Sequence, residues 1–70
     1  MNNKQIKQKI YDYEYYTNGF KHLNGADVVV RNLKILKREN KAIADIILIY
    51  DMETRHSEKF CDCEYLLDKL

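Results

Sequence analysis

Ala42-Ile43-Ala44-Asp45-Ile46-Ile47-Leu48-Ile49-Tyr50-Asp51-Met52 is the stretch on which the fold turns. Its even positions, Ala42, Ala44, Ile46, Leu48, Tyr50 and Met52, are all apolar, and its odd positions mix Ile43, Ile47 and Ile49 with Asp45 and Asp51. Apolar residues at every second position mark a strand, because successive side chains point to opposite faces. A strand that is apolar on one face and half apolar on the other belongs in the middle of a sheet, with something covering each side.

Upstream, Val28-Val29-Val30 followed by Leu33, Ile35 and Leu36 predicts a strand from about Asp27 to Lys37. Val28 and Val30 share one face, and strict alternation would put Leu33 and Ile35 on the other. A bulge near Arg31-Asn32 reconciles the two pairs. Arg38-Glu39-Asn40-Lys41 then reads as a tight hairpin, since Asn40 tolerates positive φ. Downstream, Glu53 to Ser57 reads as a second hairpin loop. The last segment has two readings. As a strand it places Cys61, Cys63 and Tyr65 on one face and Phe60, Asp62 and Glu64 on the other. As a helix capped by Ser57 it aligns Phe60, Cys63, Leu67 and Leu70. The expectation is a strand over 58–65 with a short helical tail at 66–70.

Asn2 to Thr17 predicts a helix, with Ile6, Ile10, Tyr13 and Thr17 on one face, Asn2 or Asn3 as the cap and Asn18-Gly19 as the stop. Its rival is a strand at Tyr11–Tyr16 turning at Asn18-Gly19. Phe20 to Gly25 is a connection. The expected fold is α+β: one N-terminal helix packed on a three-stranded antiparallel meander.

Seventy residues allow a single small domain, and with 46% hydrophobic and 33% charged residues the chain is neither disordered nor low in complexity. The longest apolar run, Ile46–Tyr50, is far short of the roughly 20 residues a membrane helix needs. Two cysteines make no disulfide framework, and no signal peptide is legible, so the expectation is a soluble, cytoplasmic domain. Lys, Asn, Ile and Tyr fill 28 of 70 positions, the usage of an AT-rich genome such as that of a low-GC bacterium or its phage. The net charge of +1 hides an asymmetry: residues 1–41 sum to +5 and residues 42–70 to −4. Two opposed surface patches, or two halves that neutralise each other across the sheet, both follow from that split.

No motif for catalysis or cofactor binding stands out, so the expectation is a non-enzyme without cofactor. Cys61-x-Cys63 with His56 or His22 lacks the usual structural zinc spacing and reads more simply as half-buried apolar residues. The carboxylate pairs Asp12/Glu14, Asp51/Glu53 and Asp62/Glu64 have little wall around them to form a pocket, and Gly19 and Gly25 are isolated turn formers.

Two functional readings remain. Ile43, Ile47 and Ile49 form an apolar face opposite the helix, which either Leu66, Leu67 and Leu70 or another chain must cover. That face predicts a homodimer or a protein partner, and the reading is a binding module that occupies a surface of a larger bacterial or phage protein. Such a module has the style of a small phage inhibitor or anti-defence adaptor. Tyr11, Tyr15, Tyr16, Arg31, Ile47 and Ile49 are its candidate contacts, since Tyr and Arg carry much of the energy at interfaces. The alternative is nucleic-acid binding through the basic hairpin Arg31, Lys34, Lys37, Arg38 and Lys41, with Tyr11, Tyr13, Tyr15, Tyr16 and Phe20 available to stack bases.

Overall fold

The computed structural model describes residues 2–51, 53–54 and 56–70. Helix α1 (Asn3–Thr17) is followed by a short 3-10 turn (Phe20–His22) and by strands β1 (Asp27–Leu36), β2 (Lys41–Asp51) and β3 (His56–Leu66). The strands form one antiparallel sheet in the order β1-β2-β3, and a 3-10 turn (Leu67–Lys69) follows. The architecture is the α+β arrangement expected. Strand β3 begins at His56, two residues earlier than the spacing predicts. Met52, the last residue of the central apolar pattern, lies outside the described residues.

The helix starts in a reciprocal capping box. The Asn2 side chain accepts from the Gln5 backbone N–H at 2.9 Å, and Gln5 Oε1 accepts from the Asn2 backbone N–H at 3.0 Å. It stops at Asn18, and Gly19 then takes φ 71, a left-handed conformation that glycine adopts without steric cost.

The core lies between the helix and one face of the sheet. Ile6, Ile10 and Phe20 meet Val28, Val30, Ala42, Ala44, Ile46, Leu48 and Tyr65, all buried. Tyr13 and Thr17 do not join this core as their spacing suggests; both are exposed. The buried face turns instead through Tyr11, Glu14 and Tyr15, which are half-buried. Tyr65 explains the turn: its hydroxyl donates to Glu14 Oε1 at 2.7 Å, while Tyr13 meets its ring edge-on.

Both outer strands carry a bulge at the level of Asp45. The β1 register shifts between Arg31 and Lys34, with Asn32 at φ 54. The β3 register shifts opposite Asp45, with Asp62 at φ 55. The first bulge returns Leu33 and Ile35 to the core side, as the sequence requires. The second overturns the simple alternation expected of β3. Phe60 pairs with Ile46 and Cys63 with Ala44, so these two residues share the core side although three positions apart.

Candidate functional site

The face of the sheet away from α1 is laid out by the register in five rows. From one end they are Asp27, Ile49 and Ser57; Val29, Ile47 and Lys59; Arg31, Asp45 and the β3 bulge; Lys34, Ile43 and Glu64; and Leu36, Lys41 and Leu66. The alternation of β2 puts its four core residues on the helix side and therefore Ile43, Asp45, Ile47 and Ile49 here. Val29, Leu36, Ile43, Ile47 and Ile49 are half-buried and stand outside the core cluster and the shell packed on it. The C-terminal leucines do not cover them. Leu67 and Leu70 pack on the core, anchored by the Leu67 N–H donating to Asn40 O at 2.9 Å and by Lys9 Nζ donating to Leu70 O at 3.4 Å. Leu66 stays exposed in the last row.

Polar groups on this face are ordered. Asp45 accepts from Asn32 Nδ2 at 2.8 Å and from the Asp62 backbone N–H at 3.0 Å. These two bonds, with Lys59 and Lys34 nearby, hold its carboxyl below the usual range. Lys41 Nζ donates to Glu64 Oε1 at 2.6 Å and lies 3.9 Å from Glu39 Oε2, which raises the Lys41 pKa. The basic first half and acidic second half of the chain thus meet across strands here.

The candidate contacts inferred from sequence divide between two sides of the molecule. Arg31, Ile47 and Ile49 share the open face. Tyr11, Tyr15 and Tyr16 lie on α1. Tyr11 and Tyr15 stack with ring centroids 5.7 Å apart, and Tyr15 continues edge-on to Phe20, which in turn meets Tyr50. The Tyr11 hydroxyl donates to Asp27 Oδ1 at 2.6 Å, and that bond with burial pushes its pKa up to about 12. Tyr11 and Tyr15 therefore brace the helix on β1, and Phe20 is fully buried. Tyr16 is exposed.

The alternative set divides too. Arg31, Lys34 and Lys41 stand in the rows of the open face, whereas Lys37 and Arg38 project from the exposed 3-10 turn (Lys37–Glu39) at the hairpin tip. Beside that tip lies an open groove of about 700 Å³ lined by Asn3, Ile35, Leu36, Lys37, Arg38 and Glu39. Of the carboxylates read as pairs, Asp12 and Glu14 have separate partners, Asp12 accepting from Gln8 and Glu14 from Tyr65 and Asn18, whereas Asp51 accepts from the backbone N–H of its own mate Glu53. Among the described residues, no group of three or more His, Cys, Asp or Glu is placed to hold a metal ion. Cys61 is exposed, and Cys63 is half-buried with its thiol pKa raised mainly by burial. No described helix is long and apolar enough to cross a membrane.

Sequence reasoning missed the role of Asp45, which looks like a polar interruption in an apolar strand. The one signal available was the break in alternation at Arg31-Asn32 on the preceding strand.

No family model, curated protein or solved structure matches this chain.

Proposed function

We propose that this chain is a non-enzymatic protein-binding module, and that its open sheet face covers a surface of a larger bacterial or phage protein. The observation that carries the reading is the set Val29, Ile43, Ile47 and Ile49, half-buried within one chain yet outside its core, beside Arg31. An apolar stripe crossed by the charged Arg31–Asp45 row and rimmed by charge, on so small a domain, is the composition of an interface. Size and AT-rich usage fit an inhibitor or adaptor made by a phage or mobile element and acting in the host cytoplasm.

A tagged pull-down from host lysate, with and without nuclease, tests it. The expected result is one protein enriched in both, lost when Ile47 and Ile49 are replaced by Asp in a chain whose circular dichroism is unchanged. Capture that survives both substitutions removes this face from the proposal. Capture that vanishes with nuclease transfers the function to the second reading, nucleic-acid binding, which the exposed Lys37 and Arg38 at the hairpin tip favour. Reversing Lys34, Lys37 and Arg38 then abolishes a salt-dependent shift of short DNA or RNA.

A further inference from the structure

The open face has a charge pattern that selects a specific occupant. Its β1 column contributes Arg31 and Lys34, and its β3 column contributes Lys59 toward one end and the Asp62 bulge and Glu64, the latter already paired with Lys41 of its own chain, toward the other. The central column runs Ile49, Ile47, Asp45, Ile43, Lys41. Two copies can stack this face on itself about two kinds of in-plane two-fold axis. An axis across the strands lays β1 over β1 of the other copy and sets Arg31 and Lys34 against their own kind. An axis along β2 lays β1 over β3 of the other copy and keeps every row opposite itself. Lys34 then meets Glu64, Arg31 meets the Asp62 bulge, Leu36 meets Leu66, and Ile43, Ile47 and Ile49 each meet their own mates.

We infer that in the free protein a second copy of this chain occupies the open face, related by a two-fold axis along β2. The inference rests on the reading of that face as a protein-docking surface and names its resting occupant. A larger partner using the same face competes with the second copy. Sheets stacked face to face keep their strands within about 30° of each other, which preserves the rows. A contact of this kind is isologous and closes at two copies.

Three strands of about eleven residues give a face roughly 35 Å by 14 Å. Two such faces remove on the order of 1,000 Å² of footprint, the threshold at which a specific interface becomes stable. The axis also brings the two Asp45 carboxylates toward each other. Each is bonded to Asn32 and the Asp62 N–H of its own chain, with Lys34, Lys59 and Arg31 around it. The Asp45 row, the Lys41 pair (each Lys41 bonded to Glu64 of its own chain) and Lys59 over Val29 are the costly contacts, and the apolar mates together with the Lys34–Glu64 and Arg31–Asp62 approaches supply the association.

Sedimentation of the purified full chain tests this directly. The expected wild-type species is a dimer at micromolar concentration. Lys34→Glu and Glu64→Lys each place like charges opposite one another twice per dimer, and each weakens association about tenfold or more. An equimolar mixture of the two variants restores both opposite-charge pairs and regains the dimer mass. That recovery is specific to the axis along β2, and circular dichroism of each variant confirms its fold. A wild-type monomer at several hundred micromolar overturns the inference. So does a dimer indifferent to both reversals, or a mixture that stays monomeric. The pull-down reads a different species, so either result stands when the other fails.

Discussion

Asn32 and Asp45 are joined by a 2.8 Å hydrogen bond from the Asn32 side-chain amide to the carboxylate. The same carboxylate receives the Asp62 backbone N–H from the other side at 3.0 Å. One residue of the central strand thereby fastens a bulge on each neighbour, at Asn32 and Asp62, where φ is positive and an L side chain needs local support. Asp45→Ala removes both bonds at once and is expected to lower the thermal midpoint more than Asn32→Gly. The glycine relieves the backbone and costs only one bond. Thermal melts followed by circular dichroism rank the two.

Acid acts on the same carboxylate. Its pKa is lower in the fold than the ordinary 3.8. Ionised Asp45 is therefore favoured by the folded state. Its contribution is complete above the ordinary value and drains away as pH falls through the lower folded value. Urea midpoints measured between pH 6 and pH 2 are expected to fall less steeply for Asp45→Asn than for the native chain.

Alkali acts on two tyrosines. Tyr11 is raised to about 12 by Asp27 and burial, and Tyr65 is raised further by burial and Glu14. Both phenols stay protonated in the fold, so their contribution is intact below the ordinary value of 10.0 and is lost as pH climbs toward the folded values. Ultraviolet titration is expected to show the Tyr11 and Tyr65 phenols ionising well above the ordinary 10.0. Tyr65→Phe removes one of them and flattens the alkaline limb.

The core is small enough to depend on single residues. Seventy residues correspond to a total stability of about 3.5–10 kcal/mol, and Phe20→Ala or Ile10→Ala removes about 2–5 kcal/mol of it. Both are fully buried. Either variant is expected to be largely unfolded near the lower end of that range. Ile47→Ser, on the face outside the core, is expected to keep native circular dichroism.

Two left-handed positions separate backbone need from side-chain need. Gly19 sits at φ 71 with nothing within 4 Å of an added Cβ, so Gly19→Ala is expected to cost about 1–2 kcal/mol from backbone strain alone. Asn40, at φ 54 and ψ 39, closes the first hairpin. Asn40→Gly is expected to be neutral or slightly stabilising, because glycine fits that conformation without strain. Urea unfolding distinguishes the two signs.

The helix limits, the central strand, the first bulge and the Asn40 turn were legible in the sequence, because each follows from local rules of capping, alternation and positive φ. What was not legible depends on contacts distant along the chain. Tyr13 and Thr17 have the right spacing for the core, yet Tyr65 and Glu14, 51 residues apart, redirect the helix face. The β3 bulge was hidden because Cys61-Asp62-Cys63 alternates acceptably by itself. Only pairing with Asp45 shows that Phe60 and Cys63 share a side. The candidate contacts suffered similarly: Tyr11 and Tyr15 look like interface aromatics by composition, and their partners Asp27 and Phe20 make them braces.

Strand β3 runs eleven residues along the outside of the sheet and is exposed over nearly all of them. A continuous edge of that length is a template on which strands of neighbouring molecules add, the first step toward fibres. Asp62 breaks the edge near its middle with a kinked backbone and an acidic side chain, and Asn32 breaks the opposite edge with a kinked backbone alone. Asp45 holds both breaks. The carboxylate that looks like a flaw in an apolar strand is thus expected to hinder such polymerisation. Chains without it are expected to be lost from solution to aggregation as well as to unfolding.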